Sequence, residues 1–555
     1  MIFPTTCVTH GSELKSATHI KHMTQFLEQN PEVATLPLTD IGNVSQCVPY
    51  YQAMKKIDKK PVLGCQIPIC STFSEIKEGE NSNTGFNLLA YAKNAQGWSE
   101  LLNILVYCND PSRMNPDVRI SMDELEQFDL GGLALAAPAE YSQTLDPKKD
   151  FIYYTENSKS GNWDMDEITY NKNMFLFPGH AARLRAVKRK IKGIPPEFIE
   201  EDVKKGLINL ETPFKDAHKR LYDSIEEFDI LHREELPAFS EDDSALLTQM
   251  CNRALINMNL HQNNRYVEQL ERELNVFIPK GFAGYFLIMA DIVGFMNNKG
   301  YLTGVARGSA GGCLVSYLTG ITKIDPVKYN LMFERFYSPD RHDYPDIDLD
   351  LPPSRRDELV QYIEEKYGAE KLGQLSTFGT IKGAGGLKLC LGQSGMSFYQ
   401  QNAVTDLLPM EGKVAPELKV QNDEYGTKSL VLYALRDDPK AFEQWVKIDK
   451  KTNKLSGKWA EEFQLAIDLD ETIVSVGKHA SAFVLANRPI YKQAPMRYDS
   501  RSKRHVVGVE MNSASGLGLV KLDLLSLDLL DKAKYLQEGL KNASFTLTPA
   551  PWSKL

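Results

Sequence analysis

Apolar positions along the first hundred residues alternate between two spacings. The runs VATLPLTD (33–40) and KPVLGCQIPI (60–69) read as short buried strands. Between and before them, HIKHMTQFLEQ (19–29) and NVSQCVPYYQAMKKI (43–57) carry helical periodicity, and GFNLLAYAKNAQGWSELLNILVYCN (85–109) adds a strand followed by an amphipathic helix. This succession predicts a βαβ-like domain with covered strands. From about 146 to 220 the text becomes charged and proline-interrupted, as expected of the surface-rich end of that domain.

LHREELPAFSEDDSA (231–245) reads as a connector in which Ser240 or Asp242 can cap a helix. Helical spacing follows from Leu246 to about Leu274, and GFAGYFLIMADIVGFMNNKGY (281–301) opens with a glycine-set turn and becomes a strongly apolar helix. Residues 386–465 are more polar and helical, with glycine and lysine breaks, which suits an inserted subdomain. Strand-like text returns near 466 in TIVSVGKHASAFVLANRPI and GLGLVKLDLLSLDLLD. The pattern predicts α/β and α+β domains in one chain, with a core that is left and re-entered around a helical insertion. The expected boundaries are 1–235, 236–385, 386–465, 466–535 and a final piece, 536–555.

Composition changes this picture little. A chain of 555 residues, 42% hydrophobic and 25% charged, has room for three or four domains of roughly 100–200 residues. A net charge of −9 is not that of a small basic nucleic-acid module, although phosphate contacts need only a local basic lining. The eight cysteines form no CxxC pair, which argues against a zinc ribbon or a disulfide framework. No basic segment followed by an apolar run stands at the N-terminus, and no stretch approaches 18 uninterrupted apolar residues. A soluble, intracellular protein with reduced thiols and no membrane partner is the expectation.

The sharpest chemical feature is Pro345-Asp346-Ile347-Asp348-Leu349-Asp350-Leu351. Its period of two puts three carboxylates on one side of a strand and the apolar residues on the other. Like charges held this close call for cations between them, and hard oxygen donors on a rigid strand suit Mg²⁺. A solvated edge strand, kept from aggregating by its charges, is the competing reading.

Upstream, Gly304-Val305-Ala306-Arg307-Gly308-Ser309-Ala310-Gly311-Gly312 precedes the helix-like run CLVSYLTGI. Glycines and a serine there let backbone N–H groups approach a phosphate, with the helix N-terminus adding positive potential and Arg307 a fixed charge. A plain tight turn fits the same residues, and the spacing is neither a Walker A loop nor a dinucleotide fingerprint. Arg335 and Arg341 stand between this loop and the acidic strand, as salt-bridge partners or as clamps on a triphosphate. Lys521 and Asp523 share a strand face in GLVKLDLL and offer a distant third carboxylate, or an ordinary surface pair. Lys478 and His479, in GKHASA, can face phosphate, although a lone histidine is as often structural.

These blocks together resemble the C-family of bacterial replicative polymerases, the DNA polymerase III alpha subunits. The likeness runs in order from about 265 to 535, through GFAGYFLIMADIV, GVARGSAGGCLVSYLTGITKIDP, FERFYSPDRHDYPDIDLD, LSTFGTI, GKHASAFVLA and GLVKLDLL. More loosely, the first 110 residues resemble that family's N-terminal PHP domain. The resemblance implies a PHP-like α/β domain at 1–235, a nucleotidyltransferase-type palm at 236–385 and 466–535, and a thumb-like insertion at 386–465.

It further implies that Asp346, Asp348 and Asp523 are the catalytic, metal-binding aspartates, served by two Mg²⁺ ions with Mn²⁺ as a substitute. Asp350 takes a supporting role. Gly308, Ser309, Arg307, Arg335, Arg341 and Lys521 surround the incoming triphosphate, and Lys478, His479, Lys382 and Lys388 face nucleic acid. Primer–template DNA and dNTPs are the implied partners, in a bacterial cytoplasm or an infected host cell.

Two departures from the family pattern shape the expectations. The His-x-His start of a PHP metal site is replaced by Val8-Thr9-His10, so His10 and Asp40 are remnants and the domain is expected to be structural. The sequence also stops 32 residues after Asp523, about where fingers begin in the family. The expectation is a split, phage-type polymerase whose second polypeptide supplies fingers and C-terminal domains and recruits any sliding clamp. A non-catalytic DNA-binding or regulatory relative is the alternative, and a PHP-type phosphoesterase a third.

Overall fold

The computed structural model describes residues 4, 6–9, 18–70, 86–110, 119–138, 151–156, 167–170, 216–425 and 428–542. The chain divides into two compact units. The first comprises Met1–Ile230, Ser376–Lys478 and Ala494–Ser513, and the second comprises Leu231–Leu375, His479–Gln493 and Ala514–Leu555.

The first unit opens with a mixed sheet built from β1 Leu38–Ile41, β2 Leu63–Cys70, β3 Phe86–Ala92, β4 Ile120–Ser121, β5 Leu133–Pro138, β6 Phe151–Glu156 and β7 Glu167–Tyr170. Its order is β1-β2-β3-β5-β6-β7, with β4 beside β2. Pairing is parallel at β1–β2, β5–β6 and β6–β7 and antiparallel at β2–β3 and β3–β5. Helices α1 Ile20–Gln29, α2 Cys47–Lys56, α3 Ala95–Cys108, α4 Met122–Leu125 and α5 Asp216–Ser224 accompany it. The Asn94 side chain caps α3 by accepting from Gly97 N–H. Gly97 must lack a side chain, because a Cβ there would lie 1.8 Å from the Gly132 carbonyl oxygen. Leu221 and Ile225, at α5 and just beyond it, close over Val62, Leu89, Tyr91, Ala134 and Ala136. The rest of the charged 146–220 stretch, apart from β6, β7 and the start of α5, lies outside the described residues.

In the second unit, α6 Asp243–Asn257 starts at Asp242, whose side chain accepts from Ala245 N–H at 2.9 Å. α7 Asn264–Phe277 turns at Gly281 (φ +77°) into α8 Ala283–Asn298. Because α8 is apolar on nearly every face, it is buried nearly all round. A 3-10 turn, Gly308–Gly312, leads into α9 Leu314–Leu318; β8 Asp348–Leu351, α10 Arg356–Tyr367 and β9 Leu372–Thr380 follow. Phe277 anchors the core, with ring centroids 4.6 Å from Phe286, 5.6 Å from Phe333 and 5.8 Å from Tyr337.

After β9 the chain returns to the first unit as a helical layer: α11 Gly383–Gln393, α12 Phe398–Thr405, α13 Ala415–Tyr425, α14 Leu430–Asp437 and α15 Ala460–Leu469, with a small hairpin of β10 Lys447–Ile448 and β11 Leu455–Ser456. It has its own core around Leu387, Leu391, Val431, Leu435, Phe442 and Phe463. The remaining elements are β12 Ile473–Leu485, β13 Met496–Asp499, β14 Arg504–Val507, α16 Met511–Gly516, β15 Val520–Ser526 and α17 Asp528–Asn542. β9 and β12 each run through residues at which one unit gives way to the other.

The chemistry depends on the sheet of the second unit, where β15 lies between β8 and the end of β12. β8 pairs with β15 in parallel, setting Asp348 opposite Asp523. β12 pairs with β15 antiparallel, setting Ala482 opposite Asp523. Ile347, Leu349, Leu351, Leu522 and Leu524 are buried together on the other face, as the period-two pattern requires. The predicted connector proves to be pinned. His232 N–H donates to Gly516 O at 3.0 Å and Glu235 N–H to Gly518 O at 3.3 Å, which fixes the approach to β15.

Candidate active site

Because residues paired across a parallel ladder share a face, the Asp348–Asp523 register brings two carboxylates from distant sequence side by side. Asp346, two residues before the first paired position, completes the group. One oxygen of each of the three lies within 4.8 Å of the others. Among the described residues no other set of His, Cys, Asp and Glu side chains has this arrangement. The members differ in environment: the Asp346 side chain is 65% exposed and that of Asp523 only 8%.

Burial pushes the Asp523 carboxyl up to about 6; the Lys521 ammonium pulls against this, and the Asp346 and Asp348 charges reinforce it. Burial and then the Asp346 charge raise Asp348 as well. Lys521 Nζ lies 2.6 Å from Asp523 and 3.5 Å from Asp346. Burial alone would lower the Lys521 ammonium, but its bond to Asp523 and the charges of Asp523 and Asp346 outweigh that and raise it. Beneath the cluster, the fully buried Tyr285 hydroxyl accepts from Ile347 N–H at 3.3 Å and so fixes the residue between Asp346 and Asp348.

Asp350 stands apart from the metal group. Its carboxylate, 9% exposed, accepts from Arg307 Nε at 2.9 Å and lies 2.7 Å from Arg307 Nη2. Its carbonyl accepts from Gly304 N–H at 2.9 Å. A Cβ on Gly304 would stand 2.7 Å from Asp350 Cβ, so glycine is needed for the loop to lie this close to the strand. Lys323 holds the same segment, donating through its backbone to Val305 O at 2.6 Å and through Nζ to the Thr303 hydroxyl at 2.8 Å.

The structure corrects one expectation about this loop. The N-terminus of α9 is not open to a ligand, because the buried Glu273 carboxylate accepts from Leu314 N–H and Val315 N–H, each at 2.9 Å. Next to the helix start, the turn itself exposes Gly308, at φ +58°, and Ser309, as Val305 and Arg307 are exposed earlier in the loop. A Cβ on Gly308 would come 4.0 Å from Asp348 Oδ2, so this exposed turn borders the aspartates.

The other cations take various positions. Arg307 is engaged by Asp350, and Arg341 pairs with Asp343 while lying 5.4 Å over the Tyr337 ring. Arg335 is exposed at the end of the 3-10 turn Phe333–Arg335. His479 is built into its strand: Nδ1 accepts from the N–H groups of Ser481 (3.2 Å) and Ala482 (2.8 Å), and its carbonyl accepts from Gln374 Nε2 at 2.6 Å. Burial, then the charges of Lys521 and Arg356, lower its ring, which favours a neutral imidazole with its proton on Nε2. Lys478, Lys382 and Lys388 belong to the first unit, where Lys382 lies 3.8 Å from Glu411 and Lys388 sits 5.9 Å over the Phe398 ring.

In the N-terminal domain Asp40 is buried and accepts from Thr9 N–H at 2.6 Å and from the Thr9 hydroxyl at 2.7 Å. His10 lies outside the described residues. All eight cysteines are buried and free, and among the described residues no helix is long and apolar enough to cross a membrane.

The sequence alone assigns no role to Glu273 or Tyr285, and it reads Gly304 as part of a phosphate-approaching loop rather than as the close contact to Asp350. A signal existed for the first: Tyr266, Leu270, Glu273 and Phe277 share one helical face, and an acid in register with an apolar stripe marks a buried, hydrogen-bonded carboxylate.

Two family models match the chain. The one described as "Bacterial DNA polymerase III alpha NTPase domain" covers residues 245–526 and contains all three aspartates; the other, "PHP domain", covers 7–147. The DNA polymerase III subunit alpha of Bacillus subtilis is 26% identical over 569 residues, covering 94% of this chain and 48% of that protein. That of Campylobacter jejuni is 26% identical over 611 residues with the same coverage, and that of Mycobacterium leprae is 33% identical over 268 residues, 48% of this chain and 22% of the relative. The chain thus spans about half the length of the curated relatives that it matches most fully. With more than half of its residues under one family model and its acidic strand pair inside that match, the chain belongs to the bacterial DNA polymerase III alpha family.

Proposed function

We propose that this chain is the nucleotidyl-transferring half of a DNA-directed DNA polymerase, joining dNTPs to a primer 3′-hydroxyl on template DNA. The observation that carries the reading is the convergence of Asp346, Asp348 and Asp523 beside the exposed turn Gly308–Ser309. Three hard oxygen donors, contacted among the described residues by the single ammonium of Lys521, are a donor set suited to divalent cations. Asp346, Asp348 and Asp523 would hold two Mg²⁺ ions, or Mn²⁺ in their place. When bound, such ions supply Lewis-acid activation of a hydroxyl and neutralise a pyrophosphate leaving group.

The chain's own residues do the positioning. The rigid β8–β15 pair fixes the carboxylates, and the Arg307–Asp350 pair sets the height of the glycine turn above the strand. Gly308 and Ser309 offer backbone and hydroxyl donors to a triphosphate, with Arg335, Arg341 and Lys521 as the surrounding cations. Lys521, which contacts both Asp523 and Asp346, would also serve as a donor for phosphate oxygen. Little acid–base chemistry is asked of side chains, because phosphoryl transfer depends on placement and charge. Lys478, His479, Lys382 and Lys388 are the proposed contacts to DNA. The PHP-like domain is assigned a structural role.

The finer form of the proposal has the fingers supplied by a second polypeptide, which co-purification under native conditions checks. The test of the function is extension of a labelled primer with Mg²⁺ and dNTPs, by the chain alone and with the proteins that co-purify with it. Template-directed extension supports the reading. Tight DNA binding without extension in either preparation supports the non-catalytic relative instead.

A further inference from the structure

We infer that Glu273 is a positioning residue for the Gly308–Ser309 turn, holding it in the shape that receives a triphosphate; the inference rests on the polymerase reading. Glu273 lies on α7, outside the aspartate cluster, and is 0% exposed. Oε1 accepts from Leu314 N–H at 2.9 Å and from Gln269 Nε2 at 2.8 Å. Oε2 accepts from Val315 N–H at 2.9 Å and from the Cys313 thiol at 3.3 Å. Four donors converge on one buried carboxylate, and three of them belong to consecutive residues directly after the turn.

A buried charge persists only where hydrogen bonds compensate it, so Glu273 and the first residues of α9 depend on each other. At the other end of the loop, Arg307 and the Gly304 N–H are tied to Asp350. Between these anchors only the turn itself presents exposed groups. A segment held at both ends offers its donors without being ordered at the moment of binding, which is how a protein raises affinity through preorganisation. Glu273 touches neither the reacting atoms nor any proposed ligand of the metals. It acts through the turn.

The test compares wild type with Glu273→Gln and Gln269→Leu. Amide hydrogen exchange over residues 304–318 is followed in the purified chain, and KM and kcat for dNTP are measured in the preparation that extends a primer. The expected result for Glu273→Gln is exchange at 308–315 about tenfold faster, with the rest of the second unit unchanged. The dNTP KM rises about tenfold while kcat stays within about twofold. Gln269→Leu, which removes one donor and leaves the carboxylate, shifts both in the same direction by less, and it carries the test if the first variant does not fold. Unchanged exchange at 308–315, or faster exchange with an unchanged KM, overturns the inference and leaves the polymerase reading standing. A wild-type preparation that extends no primer overturns the polymerase reading, whatever the exchange shows.

Discussion

Lys521 donates to Asp523, two positions further along the same strand, at 2.6 Å. On a strand, residues i and i+2 point to one face, so the sequence itself supplies a compensating charge to a buried carboxylate. The ammonium also lies 3.5 Å from Asp346, and so bridges two of the three aspartates. Replacing Lys521 with Met strands Asp523 without its cation. The expected result is an Asp523 carboxyl raised above its present value of about 6 and a metal-free protein destabilised by about 1–3 kcal/mol. Thermal unfolding without and with divalent cation checks this. Lys521→Ala is expected to weaken dNTP use more than primer–template binding, and unchanged steady-state constants for dNTP would remove Lys521 from the pocket.

The same carboxyl sets a pH dependence. In the folded chain Asp523 is raised from the ordinary aspartate value to about 6, chiefly by burial. Its proton therefore stabilises the metal-free fold at low pH, and that contribution is lost as pH rises through about 6. Cation binding has the opposite sense, because it requires the ionised carboxylate. Mn²⁺ affinity is expected to be level above pH 6 and to fall by about tenfold per pH unit below it, with proton release on binding. Isothermal titration across pH 5–8 tests this; a profile that is flat through 6 would contradict it.

Arg307 and Asp350 form a structural pair that holds the glycine loop. Arg307→Met leaves the Asp350 carboxylate, 9% exposed, without its cation. A loss of about 1–3 kcal/mol is expected from the stranded acceptor. Asp350→Asn, which keeps the shape, is expected to retain cation binding at the three aspartates, since Asp350 lies outside that group. Loss of Mn²⁺ binding in Asp350→Asn would place it among the ligands.

Gly304→Ala sets a Cβ 2.7 Å from Asp350 Cβ and 3.0 Å from its Oδ2. Gly308→Ala meets only an ordinary contact, 4.0 Å from Asp348 Oδ2, but must adopt φ +58°, at a cost of about 1–2 kcal/mol. The first is expected to lower both stability and dNTP use, and the second to act mainly on dNTP use. Denaturant unfolding beside dNTP titration separates the two.

Much of this was legible in the sequence. Alternating acid and apolar residues announced the face that β8 presents, and Gly281 announced the turn before α8. What the sequence could not give was register. The meeting of Asp348 with Asp523 depends on which strands become neighbours across 175 residues of chain, and the local pattern of either strand is silent on that. Partner choice was equally hidden. Arg307 reads as a fixed charge for phosphate with no sign of its pairing with Asp350, and the helix end that reads as an anion site is filled by Glu273. In both cases a charge was visible and its counter-charge, far along the chain, was not.

The central claim is that Asp346, Asp348 and Asp523 together transfer nucleotides. The most direct measurement is primer extension with Mg²⁺ by the natively purified assembly containing this chain, as wild type and as Asp348→Asn with unchanged thermal unfolding. Templated extension is expected of the wild type, and its loss, by several orders of magnitude, of the variant. Full extension by Asp348→Asn would contradict it.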